Sequence, residues 1–173
     1  MNSIIRNEKP GDADAISRII RAAFANDAHS SHTEEYIVAA LRKALQLSVS
    51  LVALEGERVV GHVAISPVSI SSLLAPSGIP GWYGLGPIAV SPERQGQGIG
   101  SALMRASLAA LQQQGACGCV VLGEPGYYAR FGFTACPQLV LPGVPQKYFQ
   151  ALSFAGDVPE GEVAYHSAFA ATA

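Results

Sequence analysis

The run Gly86-Pro87-Ile88-Ala89-Val90-Ser91-Pro92-Glu93-Arg94-Gln95-Gly96-Gln97-Gly98-Ile99-Gly100-Ser101 constrains this chain more than any other stretch. A β-type apolar segment leads into glycines at every second position. These open at once onto a helical pattern in which Ile99, Ala102, Leu103, Ala106 and Ala110 share a face. A strand, a glycine turn and a helix in immediate succession bring the unbonded amides of a helix start, and the positive end of its dipole, to the turn. Because Gly96, Gly98 and Gly100 lack side chains, a phosphate can approach that backbone within hydrogen-bonding distance. The competing explanation is a turn that only packs a helix against a sheet. Two common phosphate loops do not fit: no lysine follows Gly100 as a P-loop requires, and the third glycine comes one residue early for a dinucleotide fingerprint.

The remaining pattern is that of an α/β protein with a mixed sheet. Ser3 to Asn7 predicts a first strand, and Asp12 precedes a helix whose face is Ile16, Ile19, Ile20, Ala23 and Phe24. Ser31 and Glu34 form a candidate capping box for a second helix carrying Tyr36, Ile37, Ala40, Leu41, Ala44 and Leu45 on one face. Val49 to Leu54 and Val59 to Ser66 predict strands joined by the tight turn Glu55-Gly56-Glu57-Arg58. Residues 67–82, rich in Ser, Pro and Gly, predict a loop or an irregular strand end. Leu85 to Val90 predicts the next strand, and Gly115 stops the helix that follows. Beyond it come a strand at Cys117 to Leu122, a short helix at Pro125 to Phe131, a short strand at Phe133 to Ala135 and a last strand at Val163 to Phe169.

Composition narrows the class. With 49% hydrophobic and 14% charged residues over 173 positions, the expectation is a single well-buried domain, residues 1–173. A net charge of −2 provides no basic field for nucleic acid or an anionic membrane, so neither is expected as a partner. Cys117-Gly118-Cys119 and Cys136 give an odd thiol count with no matching His/Cys pair, which predicts buried structural thiols and no metal. The segment from Met1 has no apolar core of a signal peptide, and the expected location is cytoplasmic.

Gln95-Gly96-Gln97-Gly98-Ile99-Gly100 fits Q/R-x-x-G-x-G/A and so resembles the coenzyme A pyrophosphate motif of the GNAT superfamily of N-acetyltransferases. The lead-in Ile88 to Glu93 is similar to that family's, and Tyr128-Ala129-Arg130-Phe131-Gly132-Phe133 resembles its Y-x-x-x-G-F signature. The order of elements matches over nearly the whole chain. Within the superfamily, the Gly61 to Val68 and Tyr127 to Phe133 stretches most resemble the YhbS-like acetyltransferases. The implied fold is the GNAT acyl-CoA acyltransferase fold, a mixed central sheet splayed between its fourth and fifth strands and flanked by helices.

The resemblance implies acetyl-CoA as cosubstrate and direct transfer to an amine in a ternary complex. No cysteine lies in either motif, which disfavours an acyl-enzyme. It places the pyrophosphate on Gln95, Gly96, Gln97, Gly98, Ile99, Gly100 and Ser101, and the pantetheine beside Ile88, Ala89 and Val90. Pro87, which cannot donate to a ladder, and the nearby Gly84 and Gly86 are the sequence's own sign of a strand that parts from its neighbour. Tyr128, four residues before Gly132, is the candidate general acid for the departing thiolate, since a phenol stays protonated at neutral pH. The base stays open among Glu124, Glu34, Glu35, His62 and an ordered water. The acceptor is a small-molecule or peptide amine, and Trp82, Tyr83, Tyr165 and His166 are candidates to line its pocket. By family analogy the C-terminal strands form a homodimer contact. The alternatives are a non-catalytic acyl-CoA sensor of the same fold and a partner-binding domain with an empty glycine turn.

Overall fold

The computed structural model describes residues 2–173. They fall into two compact units, and the long strands β3 (Arg58–Ser71) and β4 (Trp82–Val90) each contribute to both.

The first unit comprises Met1–Ile65, Pro87–Ala110 and Ser167–Ala173. Here β1 (Ile4–Asn7) and β2 (Val49–Glu55) pair antiparallel, and β2 continues antiparallel onto β3 with Val52 opposite His62. Alternation sends one face of these strands to α1 (Ala13–Phe24) and α2 (Glu34–Lys43), where Ile16, Ile19, Ile20 and Val38 pack on Val52, Leu54, Ala64 and Ala89. The other face receives α3 (Ile99–Gln113) at Gly61, where a Cβ would lie 2.9 Å from Leu103 Cδ1. Only a glycine lets helix and strand approach so closely.

Two expectations for α2 need correction. Thr33, not Ser31, occupies the N-cap position and makes no side-chain cap bond; Ser31 Oγ lies 2.6 Å from Thr33 Oγ1 instead, and Ser30 reaches Glu34. Leu45 does not share the buried face. The helix ends at Lys43, Leu45 turns left-handed at φ 58°, and its side chain is 90% exposed.

The second unit comprises Ser66–Gly86 and Leu111–His166. Its β4 residues pair parallel with β5 (Gly118–Leu122), from Trp82 opposite Gly118 to Leu85 opposite Val121. The ladder stops there, although β4 runs on to Val90. After α4 (Pro125–Tyr128) come β6 (Leu139–Val140), β7 (Phe149–Ser153) and β8 (Gly161–Tyr165). β7 pairs antiparallel with β5, and β8 pairs with the end of β3 and with β6. Ile70, Trp82, Val120, Leu139, Phe149, Ala151 and Val163 form the core.

The hydrogen-bonded order β1-β2-β3-β4-β5-β7 is therefore a mixed, open sheet with one parallel pair, β4 and β5. Several boundaries differ from the sequence expectation. Residues 67–71 are strand, because Val68 to Ser71 find partners in Glu162 to Tyr165. β4 begins at Trp82, whose ring covers the bare Cα of Gly118; it belongs to the core and not to a pocket. Thr134 makes a single bridge to Ala151 where a strand was expected, and β6 and β7 were not foreseen. β8 ends at Tyr165, followed by a 3-10 turn at Ser167–Ala170.

Candidate active site

In the first unit, β4 delivers the chain to Ser91, which is buried and donates its amide to Val60 O at 2.8 Å. A 3-10 turn, Pro92–Arg94, follows, closed by Arg94 N to Ser91 O at 2.8 Å. Gly96 and Gly98 then take φ of 73° and 86°, a left-handed region that disfavours any residue with a Cβ. Neither would bring a Cβ within 4 Å of another atom, so their bareness serves no packing contact. At the start of α3, Ala102 N donates to Gly98 O at 3.0 Å, and a helix start of this kind directs its leading amides outward. This is the outline of an anion cradle: open space, bare Cα atoms and a helix start.

The side chains around it serve the turn. Gln95 Nε2 donates to Val90 O at 3.1 Å and Gln97 Nε2 to Glu93 O at 3.3 Å. Ile99 is buried with its Cγ2 toward Gly61, and Ala89 is buried in the core, so both offer a ligand only their backbone. Ile88, Val90, Gly100 and Ser101 are half-buried. Arg94 Nε holds both carboxylate oxygens of Glu55, at 3.0 and 2.8 Å, and Arg58 pairs with Glu93. Glu55, Gln97, Gly98 and Ile99 line one groove with Asn2 and Ser3.

Tyr128 lies in the second unit. Pro125 starts α4 just after Glu124, whose carbonyl accepts the amides of Tyr127 and Tyr128 at 3.2 Å each. Gly132, at φ 96°, ends the turn that follows. The spacing from Tyr128 to Gly132 is thus a helix and its stop. The half-buried ring of Tyr128 meets Tyr127 and Phe133 edge-on, with centroids 5.0 and 6.1 Å apart. Burial, with a smaller contribution from Tyr127, pushes the phenol pKa up to about 12. The phenol is therefore neutral across the physiological range.

The base candidates separate by their partners. Glu35 is buried and bound by Arg21 at 2.9 and 2.8 Å, an ion pair that ties α2 to α1. Glu34 accepts from Ser30. His62 is wholly buried, with Nε2 2.8 Å from Ser50 Oγ; its Nδ1 has no partner among the described residues. Burial holds its pKa down to about 4, so it is neutral and a poor proton acceptor. Glu124 is exposed at the head of α4. Among the described residues no group of three His, Cys, Asp or Glu side chains could hold a metal, and burial pushes the Cys119 thiol up. No helix among them is long and apolar enough to cross a membrane.

A family model described as "Acetyltransferase (GNAT) domain" matches residues 4–136. The chain belongs to the GNAT acetyltransferase family. The uncharacterized N-acetyltransferase YhbS of Escherichia coli K12 is 34% identical over 96% of this chain and 98% of its own. Among solved structures, a GNAT family acetyltransferase from Brucella melitensis in complex with acetyl-CoA is 49% identical, with a TM-score of 0.85 over 97% of this chain and 98% of that one. Escherichia coli YhbS in complex with CoA gives a TM-score of 0.87 at 32% identity, covering 98% of this chain and 93% of that one. This GNAT chain is an N-acetyltransferase by family, and the fold expected from its two motifs is the fold observed.

Sequence reading missed Gln150, which shapes the GNAT framework from a distance: 2% exposed, it donates to Gly123 O at 3.1 Å and fixes the turn that leads into α4. Tyr165, a candidate to line the acceptor pocket, stands on Gly84. Gly84, expected with Gly86 to mark the parting of the strand, is instead paired with Val120 in the ladder and is bare because a ring rests on it; Gly123 is bare for the same reason, under Tyr128.

Proposed function

We propose that this chain is a cytoplasmic N-acetyltransferase that moves the acetyl group of acetyl-CoA directly to a small-molecule or peptide amine in a ternary complex, residues 1–173 acting as one N-acetyltransferase domain. The observation that carries the reading is the left-handed pair Gly96 and Gly98, open to solvent at the start of α3. Acetyl-CoA and CoA in complexes of relatives 49% and 32% identical support the same donor. Bound acetyl-CoA supplies an activated thioester.

In this reading the backbone of Gln95, Gly96, Gln97, Gly98, Ile99, Gly100 and Ser101 holds the pyrophosphate by amides and helix dipole, without a dedicated cation. Ile88, Ala89 and Val90 align the pantetheine through main-chain bonds, and an amide of that strand donates to the acetyl carbonyl as its oxygen gains charge. Tyr128 donates to the sulfur as it departs. A phenol raised to about 12 is a weaker acid than a thiol near about 8.5, so it stabilises the thiolate as a hydrogen-bond donor, and full protonation follows as the amine releases its proton. With Glu35 held by Arg21 and His62 buried as the neutral imidazole, that proton leaves through Glu124, Glu34 or an ordered water.

Calorimetric titration of acetyl-CoA into the wild type and a Gly98→Glu variant tests the donor site. Binding that the variant loses supports it; no binding in the wild type refutes it. An amine screen then compares wild type with Tyr128→Phe. Loss of turnover with binding retained marks an enzyme and separates it from an acyl-CoA sensor.

A further inference from the structure

β7 carries a buried amide between two core residues. Phe149 and Ala151 are buried on one face of the strand, in the cluster with Trp82 and Val120. Gln150 and Leu152 alternate with them and face the other way, where a Cβ at Gly132 would lie 3.2 Å from Leu152 Cδ1. At 2% exposed, a glutamine costs desolvation that only hydrogen bonds offset. Its Nε2 donates to two carbonyls, Gly123 O at 3.1 Å and Tyr148 O at 3.3 Å, which uses both of its N–H groups. Tyr148 O also accepts from Gly123 N at 2.9 Å. The β5–β7 ladder ends at the pair Leu122 and Phe149, so this knot fixes the chain one residue beyond it.

Tyr128 depends on that fixed point twice. Its ring rests on Gly123, where a Cβ would stand 2.6 Å from Cε2. Its backbone belongs to α4, a single turn from Pro125 to Tyr128 that is too short to hold its own shape. The amides of Tyr127 and Tyr128 bond back to Glu124 O, on the residue next to Gly123. Seat and root of the tyrosine are thus both set by Gly123 and Glu124. Gly123, Tyr128, Tyr148 and Gln150 all lie within the second unit.

We propose that Gln150 is a positioning residue for acetyl transfer: by fixing Gly123 it sets where Tyr128 presents its phenol. The inference rests on the reading of Tyr128 as the donor to the departing sulfur, and the role of Gln150 runs through Tyr128 alone. A misplacement of about 1 Å costs on the order of a hundredfold in rate, so loss of this side-chain amide acts on kcat. The cradle at Gly96 and Gly98 lies in the first unit and keeps its hold on CoA.

The test compares wild type, Gln150→Met, Tyr128→Phe and the double variant, with acetyl-CoA and the amine of highest turnover in the screen above. Methionine keeps the reach of the side chain and removes both donors. Gln150→Met is expected to lower kcat by about ten- to a hundredfold with KM for acetyl-CoA held within about twofold. In the Tyr128→Phe background it is expected to change kcat by less than about twofold, because the group it positions is gone. A readout independent of turnover is the Tyr128 signal in protein labelled with carbon-13 at tyrosine Cζ, identified by its loss in Tyr128→Phe. Burial keeps that phenol un-ionised in the wild type up to about pH 10.5, and in Gln150→Met the loosened ring is expected to titrate earlier. Equal losses of kcat in both backgrounds overturn the proposal, as does an unmoved Tyr128 titration beside unchanged kcat. Gln150→Asn, whose amide is withdrawn by one methylene, decides by the same comparisons if methionine prevents folding. A Tyr128→Phe variant that keeps full turnover refutes the reading of Tyr128 itself, a different result from a Gln150 that acts independently of it.

Discussion

The ring of Tyr128 lies against the bare Cα of Gly123, where a Cβ would stand 2.6 Å from Cε2. Gly123 cannot retreat, since its amide donates to Tyr148 O at 2.9 Å and its carbonyl accepts from the buried Gln150 at 3.1 Å. The added methyl of Gly123→Ala must therefore move the ring. The expected cost is about 1–3 kcal/mol of stability, as for other overpacked sites. Turnover should fall by about a hundredfold, the size of one lost hydrogen-bond donor to a developing negative charge. Tyr128→Phe should lower kcat similarly, leave CoA binding intact and fold normally. Thiol-release kinetics beside thermal melts separate the two: equal losses of kcat with only Gly123→Ala destabilised is the expected pattern.

Gly98→Ala isolates what the left-handed turn does. At φ 86° with open space around it, the new Cβ clashes with nothing and costs about 1–2 kcal/mol through backbone strain alone. Gly56, in the β2–β3 turn at φ 61° with equally open surroundings, is a matched control. Both alanine variants should lose similar stability in urea titrations. Only Gly98→Ala should weaken CoA binding, and equal CoA affinities would remove the anion-cradle assignment.

How much of this was legible follows from how far apart the interacting residues are. The cradle is local: strand, turn and helix start lie within the stretch from Ile88 to Ala102, so spacing alone announces them. The α1 face, Ile16, Ile19 and Ile20, is legible for the same reason and is buried as expected. Val68 to Ser71 was not, because the partner that makes it a strand, Glu162 to Tyr165, lies far along the chain in a segment with no strong alternation of its own. Leu45 continued a helical period that the backbone had already abandoned. Gly84 and Gly123 are ambiguous as letters, and only the rings set on them explain why they are bare.

Glu55 places a carboxylate in the groove lined by Gln97 and Gly98, an unfavourable neighbour for a pyrophosphate unless its charge is offset. Arg94 offsets it through its two-oxygen contact. Arg94→Ala should weaken CoA binding by about two- to fivefold, the range of a partly exposed ion pair, and more at low salt than at high. Glu55→Gln should strengthen binding by a similar factor, and the double variant should return close to wild type. Calorimetry at two ionic strengths checks all three. A double variant as weak as Arg94→Ala would mean that Arg94 contacts the ligand itself and that Glu55 is incidental.

His62 gives the fold a pH dependence of predictable sign. Its burial is the dominant influence on its pKa; Glu8 and Asp12 favour the charged ring and Arg42 opposes it, and the outcome is a pKa of about 4 against 6.5 unperturbed. Between those values the unfolded chain binds a proton that the folded chain refuses. Stability is therefore full above the unfolded value, declines as pH falls through the window and levels off below the folded value. The loss across the window is about 3 kcal/mol. Glu8, which burial raises but Arg42 and its other neighbours lower by more, and Asp12, lowered by Arg6, contribute losses that extend below the ordinary carboxylate range. Urea unfolding of wild type and His62→Gln at pH 7.5, 5.5 and 4.5 distinguishes the sources. The variant should be less stable at pH 7.5, because it disturbs the bond to Ser50, yet lose much less than wild type between pH 7.5 and 4.5. Parallel curves would assign the acid sensitivity to the carboxylate pairs and would mean that the native His62 ring takes up its proton as readily as the unfolded one.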